Sequence, residues 1–425
     1  MQIGYVLLDG CADRPNPKLN YTTPLEAAYT PNLDKVASRS RLGRVVTVGR
    51  GISPESDIAV FNMLGYSFDK GYPGRGVVEA VGAGLRFADG DLALRANLAT
   101  AREDVILDRR AGRNLTQPEA KLLEKEINGI RLESAKFEFR ATVSYRGVLV
   151  FHASERLSAE ITNTDPAYGR VGGFGAARAT KKGERILRSK AETKSRAASL
   201  AAELVNEFTA RSLEVLGRSE VNAERTRQGK MPANCVLLRD SGDHLPALSS
   251  FEDKYRRKGV ALVEMPAEVG IAKLTGMKMV RLEDRNDLRS KAEAFGSELS
   301  NDSIVYVHIK GPDEFGHDGD VVGKTRCVER IDRDFFSVAV GRLDEMTIGV
   351  SCDHATPCTL AMHSSDPVPL LISSKAQGDG MRFTEKGAAA GSLGLMRGRE
   401  VLAAVESAAD GRLARPVRFR TARKA

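Results

Sequence analysis

The sequence contains no tryptophan, five cysteines and six histidines among 425 residues. The cysteines are Cys11, Cys235, Cys327, Cys352 and Cys358. They are odd in number, scattered, and form no C-x-x-C pair. That excludes a disulfide framework or a structural zinc site and fits reduced thiols in the cytoplasm. No apolar run approaches the roughly 18 to 20 residues of a membrane span. Met1-Gln2-Ile3 lacks a basic segment leading into an apolar core, so no signal peptide is expected. Aromatic residues are 6% of the chain. No finger, helix-turn-helix or aromatic RNA-binding signature stands out, so no nucleic-acid partner is expected.

What is present is a soluble globular composition, 42% hydrophobic and 28% charged. The length suits two or three domains. The net charge of +8 favours anionic partners such as a phosphorylated metabolite. It is spread along the chain, and the basic end, Arg412 to Lys424, is short.

The run from Ile3 to Leu8 reads as a buried strand that delivers Asp9 at its carboxyl end. Thr23-Pro24-Leu25-Glu26 has the marks of a helix start, and Pro31 opens a helix over Asn32 to Ser40. Val45 to Val48 reads as a strand, and Ile58 to Leu64 as a helix stopped by Gly65. From about Phe87 to Arg185, short alternating runs predict a smaller α+β unit. Residues 186 to 217 read as one long helix. Strands are expected at Ile304 to Ile309, Thr347 to Ser351 and Val368 to Ile372, with a helix over Lys324 to Val340. Strands alternating with helices predict an α/β fold, a mostly parallel sheet covered on both faces. The predicted domains are a discontinuous core, 1–85 with 186–425, and an insertion, 86–185.

Acids and histidines follow these strands. Asp9 follows the first, Asp313 and His317 follow Ile309, Asp353-His354 follow Ser351, and His363 lies just downstream. Ligands of open α/β sheets bind outside the carboxyl ends of the strands, so these segments are expected to converge. Three carboxylates and three imidazoles suit divalent metals without cysteine. They could serve two ions, with Ser56 as a further ligand, an arrangement suited to in-line phosphoryl displacement. His308, inside an apolar run, reads as a packed residue or one that supports a ligand from behind, more than as a ligand itself.

Ser56 is the candidate nucleophile, with Ser53 as a nearby rival. It sits in Ser53-Pro54-Glu55-Ser56-Asp57, at the start of a helix. Serine is a common N-cap, and the same helix end offers N–H groups and a positive dipole to a phosphate. A serine hydroxyl needs activation, which a metal can supply.

These motifs resemble, in order and over nearly the whole chain, the archaeal-type cofactor-independent phosphoglycerate mutases of the alkaline phosphatase superfamily. The similarity runs through Leu8-Asp9-Gly10-Cys11-Ala12-Asp13-Arg14-Pro15, Thr23-Pro24-Leu25-Glu26-Ala27-Ala28 and Ser56-Asp57. It continues in Gly74-Arg75-Gly76, Asp108-Arg109-Arg110-Ala111-Gly112-Arg113 and Thr164-Asp165-Pro166. It closes with His308-Ile309-Lys310, Gly316-His317-Asp318-Gly319-Asp320, Asp353-His354-Ala355-Thr356-Pro357-Cys358 and His363. The resemblance implies an alkaline-phosphatase-like sheet with an inserted domain that binds the glycerate.

It also implies two divalent ions (manganese, zinc, cobalt or magnesium) and no need for 2,3-bisphosphoglycerate. One ion would take Asp313, His317 and His363; the other Asp9, Ser56, Asp353 and His354. Ser56 would carry the phosphoryl group between 3- and 2-phosphoglycerate. Arg110 and Arg113 would hold carboxylate and phosphate. Asp165 would orient hydroxyls or act as acid or base, and Lys258 would offset phosphate charge. Three departures bear on the substrate. Glu55 stands where the family has glycine, and Ala167 where histidine often follows Asp-Pro. The 283–287 segment is acidic instead of rich in threonine and glycine. A phosphatase or phosphotransferase acting on another small phosphorylated metabolite is the alternative on the same site. A non-catalytic anion binder is the alternative of another class.

Overall fold

The computed structural model describes all residues except 69–70, 172–173, 178–182, 283, 285–286, 374–377 and 413–425, and only the backbone of 170, 171 and 174–177. The 283, 285 and 286 positions and nearly all of the basic end therefore lie outside the described residues. The chain divides into two compact units. The first is Met1–Ser67, Leu248–Glu264 and Thr275–Ala425; the second is Phe68–Ala247 with Met265–Leu274.

The strands in chain order begin with β1 (Gln2–Leu8) and β2 (Ser40–Val46). The second unit supplies β3 (Leu92–Arg102), β4 (Val105–Asp108), β5 (Ala135–Ala141), β6 (Arg146–Ala153), β7 (Tyr168–Val171), β8 (Phe174–Ala177) and β9 (Cys235–Gly242). The first unit resumes with β10 (Lys258–Leu262), β11 (Lys278–Met279) and β12 (Ser303–Ile309). It ends with β13 (Met346–Cys352), β14 (Val368–Ser373) and β15 (Gly394–Arg397).

The first unit is built on one eight-stranded sheet, ordered β11-β10-β12-β1-β13-β14-β2-β15. β14 runs antiparallel to both of its neighbours; the other pairings are parallel. The expected mostly parallel α/β sheet is thus the one observed. β1 lies centrally, and from Ile3 to Leu8 it is buried on both faces. Its unbroken apolar run reflects that double burial. A side chain at Gly4 would collide with the Phe295 ring of helix Leu288–Glu298. On the opposite face, Gly349 of β13 leaves room for Val405 of helix Gly398–Ala409 and for Tyr5.

Local boundaries differ from the sequence reading where capping decides them. The long helix begins at Arg196, not 186, because Ser195 caps it by accepting from the Ala198 N–H. The strand predicted at Val45 starts five residues earlier, at Ser40, paired along its length with β14.

The second unit carries a five-stranded antiparallel sheet, ordered β4-β3-β6-β5, with β9 also pairing with β3. Helices Gln117–Asn128 and Arg196–Gly217 pack on it through Leu123, Ile127, Val205 and Phe208. The unit is wider than the predicted 86–185 because β9 and this long helix complete its sheet and core. No helix among the described residues is long and apolar enough to cross a membrane.

Candidate active site

The central strands of the first unit place the acids. β12, β1 and β13 are adjacent and parallel, so the residues after their carboxyl ends meet. Asp9 follows β1, and its N–H donates to the Ile309 carbonyl at the end of β12 (2.9 Å). Gly10 turns back in the left-handed region (φ 56°) and donates its N–H to Asp353 Oδ1 (3.0 Å). A side chain at Gly10 would overlap Asp313 and Thr356, so the close approach requires glycine. Helix Pro312–Asp318 after β12 presents Asp313 and His317 one turn apart.

Two groups result. In the first, ligand atoms of Asp313, His317 and His363 lie within 4.8 Å of one another; in the second, so do those of Asp9, Asp353 and His354. The second is fully buried and the first half-buried. The six residues expected from the sequence are therefore brought together.

Hydrogen bonding aims the imidazoles. His317 Nδ1 faces the Ala361 carbonyl (3.1 Å) and His363 Nδ1 faces the Pro54 carbonyl (2.8 Å). Carbonyls only accept, so each Nδ1 donates. Each Nε2 is then turned inward; the two Nε2 atoms are 3.2 Å apart and lie 3.5 and 3.4 Å from Asp313. Ser56 Oγ lies 3.1 Å from His354 Nε2. Ser56 is the first residue of helix Ser56–Met63, and Glu55, in extended conformation, occupies the N-cap without a side-chain capping bond. Ser56 is thus not the cap itself, and the Glu55 backbone has no need of glycine. Ser53 is exposed.

The charges are strongly coupled. Burial opposes ionisation of Asp9, but Lys310, with Nζ 3.1 Å from Asp9 Oδ2, and His308 outweigh it and hold the carboxyl below its usual range. Burial and the Asp9 charge push the Asp353 carboxyl up to about 7. Burial and the neighbouring His363 push His354 down to about 3. Burial also opposes charge on His363, but Asp313 outweighs it and raises the imidazole to about 10. Protons thus gather at Asp353 and His363. Among the described residues, no hydrogen-bond donor reaches the buried Asp9 Oδ1 and Asp353 Oδ2. Inward carboxylate atoms without donors and converging imidazole nitrogens fit hard or borderline divalent cations.

Lys310 had no role in the sequence reading, whereas His308 is packed behind the acids, as expected. His308 Nδ1 lies 2.8 Å from Tyr306 Oη, and its Nε2 is 3.7 Å from both Asp9 and Asp353. Lys258 is not brought to this site. It is exposed at the amino-terminal end of β10, the opposite edge from the ligands.

The second unit holds a separate polar cluster. Asp165 is fully buried and bound in bidentate fashion by Arg109, with Nε donating to Oδ1 at 2.9 Å and Nη2 donating to Oδ2. Buried Arg239 of β9 stacks over Tyr168 (4.4 Å) and reaches Asp165 and Asp240 at 3.5 Å. Arg95 joins Asp240 (3.2 Å) to Glu79 (3.0 Å), and Arg75 also pairs with Glu79 (2.8 Å). Four guanidiniums thus alternate with three carboxylates. Among the described residues, the buried Nε and Nη1 of Arg239 have these carboxylates at 3.5 Å but no acceptor within hydrogen-bond geometry.

Arg110 precedes the turn Ala111–Arg113 and is half-buried, and Arg113 ends it and is exposed. The arginine of this segment that meets Asp165 is their neighbour Arg109. The sequence signal for Arg239 was a lone arginine closing the apolar run Cys235–Leu238. Ala167 is buried, and its N–H donates to Asp165 Oδ1 (3.1 Å).

Comparison with known proteins places this architecture. Residues 37–222 match the family model of 2,3-bisphosphoglycerate-independent phosphoglycerate mutase. The chain is 42% identical to the enzyme of that name from Aeropyrum pernix, covering 94% of this chain and 97% of that protein. It is 37% identical to the one from Methanopyrus kandleri, covering 95% of each. Among solved structures, the cofactor-independent phosphoglycerate mutase of Thermoplasma acidophilum aligns with a TM-score of 0.60 at 29% identity, over 96% of this chain and 99% of that one. A Pyrococcus horikoshii protein aligns at 0.75 and 27%, over 96% and 97%. Fold and similarity define an isomerase of the α/β class. The chain belongs to the 2,3-bisphosphoglycerate-independent phosphoglycerate mutase family.

Proposed function

We propose that this chain interconverts 3-phosphoglycerate and 2-phosphoglycerate through a phosphoserine at Ser56, assisted by two divalent cations. The observation that carries the reading is the position of Ser56 Oγ, 3.1 Å from His354 Nε2, beside two groups of carboxylates and imidazoles. Asp313, His317 and His363 would hold one cation, and Asp9, Asp353 and His354 the other, with Ser56 as its further ligand. Manganese, zinc, cobalt and magnesium all suit such donors. The cations would lower the hydroxyl pKa of Ser56 and neutralise phosphoryl charge.

The chain's own residues do the rest. Ser56 Oγ attacks phosphorus, the O–P bond of the substrate breaks, and the phosphoryl group returns to the adjacent hydroxyl of the same glycerate. The N–H groups at the start of helix Ser56–Met63 face developing negative charge. Lys310 adds a cation beside Asp9. In the second unit, Arg239 and Arg109, both paired with Asp165, would offer guanidinium donors of the kind that bind carboxylates. Arg110 and Arg113 would add positive charge at that unit's surface.

Purified protein with manganese and 3-phosphoglycerate, beside a Ser56→Ala control, tests the reading. Formation of 2-phosphoglycerate without free phosphate, lost in the control, is expected. Free phosphate alone would replace the mutase with a phosphatase, and inactivity with all four metals would overturn the substrate.

A further inference from the structure

The three inward-facing histidines do not obtain their orientation in the same way. His317 and His363 each donate Nδ1–H to a backbone carbonyl, from Ala361 and Pro54. His354 Nδ1 faces instead the hydroxyl of Thr356, at 3.1 Å. Thr356 is fully buried, and its single hydroxyl proton is committed, because Oγ1 donates to Asp313 Oδ1 at 2.6 Å and a carboxylate only accepts. Toward His354 the hydroxyl oxygen is therefore an acceptor, and Nδ1 must carry the proton. Nε2 is left with its lone pair, aimed at Ser56 (3.1 Å), Asp353 (3.3 Å) and Asp9 (3.6 Å).

The Thr356 backbone is fixed independently of its side chain. Its N–H donates to the Ala12 carbonyl (3.1 Å), and its carbonyl accepts from the buried Lys324 ammonium (2.9 Å). The hydroxyl is thus held where one atom touches a residue of each ligand group.

We propose that Thr356 is a positioning residue of the active site: its hydroxyl holds His354 as the Nδ1–H tautomer with Nε2 free for the Asp9–Asp353 group, and ties that group to Asp313. The proposal rests on the two-cation reading above. A hydroxyl in this place does for His354 what backbone carbonyls do for the other two histidines. Unlike them, it also passes a hydrogen bond on to the neighbouring group. Loss of an outer hydrogen-bond partner of a histidine ligand costs roughly 10- to 100-fold in metal affinity.

The test uses the full chain, labelled with nitrogen-15 in histidine and free of metal. Long-range proton–nitrogen correlation of the imidazoles, with His354 assigned by its absence in His354→Gln, is expected to show His354 protonated at Nδ1. Protonation at Nε2 in the wild type would overturn the proposal without recourse to any variant. Manganese titration by calorimetry follows, with folding of each variant checked by melting. Thr356→Val is expected to lose the Nδ1–H preference and to bind manganese about 10- to 100-fold more weakly. Thr356→Ser, which keeps the hydroxyl, is expected to restore both. A folded Thr356→Val with unchanged tautomer and affinity would refute the positioning role. A wild type that binds no manganese would instead refute the two-cation reading, whatever the tautomer shows.

Discussion

Replacing Lys324 with methionine tests how the ligand-bearing loops of the first unit are held. Lys324 is buried without exposure, and its ammonium meets Asp13 Oδ2 at 2.9 Å, the Thr356 carbonyl at 2.9 Å and the Ala12 carbonyl at 3.3 Å. Asp13 is equally enclosed; besides Lys324 it accepts the N–H groups of Arg14 (2.8 Å) and Cys358 (3.1 and 3.2 Å). The pair therefore stitches the loop after Asp9 to the loop after His354. Methionine keeps most of the volume and removes the charge, leaving the Asp13 carboxyl in the interior without its partner. Breaking a buried pair in this way costs about 3–5 kcal/mol, a large share of a total stability of about 5–15 kcal/mol.

The assay is urea unfolding followed by a probe confined to the first unit, since two units need not unfold together. Asp13→Asn and the double substitution complete a cycle. The double variant is expected to be less destabilised than the sum of the singles by at least about 1 kcal/mol. A Lys324→Met cost below about 1 kcal/mol, or strict additivity, would refute the claim that the charges stabilise each other.

Further outcomes follow from the same geometry. Arg239→Met is expected to raise KM for 3-phosphoglycerate at least about tenfold with a smaller change in kcat, since uniform binding is lost; steady-state kinetics with unchanged KM would contradict the role of Arg239 in binding. Phe208→Ala removes the ring packed edge-on against Phe137 and Phe151, at 5.1 and 5.8 Å, and is expected to destabilise the second unit by about 3–5 kcal/mol in denaturant titration. Manganese affinity is expected to rise with pH. Asp353, raised to about 7, and His363, raised to about 10, hold protons that a cation must displace. Below pH 7 both compete, so affinity should fall by about ten- to a hundredfold per pH unit lost. Calorimetry in buffers of different ionisation enthalpy reads the released protons, and a pH-independent affinity would exclude this competition.

The metal-type groups were legible in the sequence because parallel strands buried on both faces are short apolar runs, and the residue after each run must lie at one edge of the sheet. Asp9 and Asp353 obey that rule directly, and Asp313 lies at the start of the helix that follows β12. His317 follows from helical spacing after Asp313. Ser56 was legible as a helix start, though the cap position itself falls on Glu55. The substrate-side residues were less legible. Arg109 and Arg110 are adjacent in a turn with no period to say which side chain points inward. Arg239 lies in a strand whose pairing with β3 across a bulge decides its direction. Lys258 matches the family pattern poorly, and strand polarity puts it at the edge opposite the ligands. The boundary near 185 followed a change of texture, whereas the unit is closed by β9, a strand distant in sequence from its partner β3.

The most direct test of the central claim is to quench the manganese-loaded protein during turnover of 3-phosphoglycerate and map phosphate by peptide mass spectrometry. Phosphate on Ser56, absent without substrate and absent from Ser53, is the predicted result. Turnover to 2-phosphoglycerate in Ser56→Ala, with phosphate on another residue or on none, would contradict it.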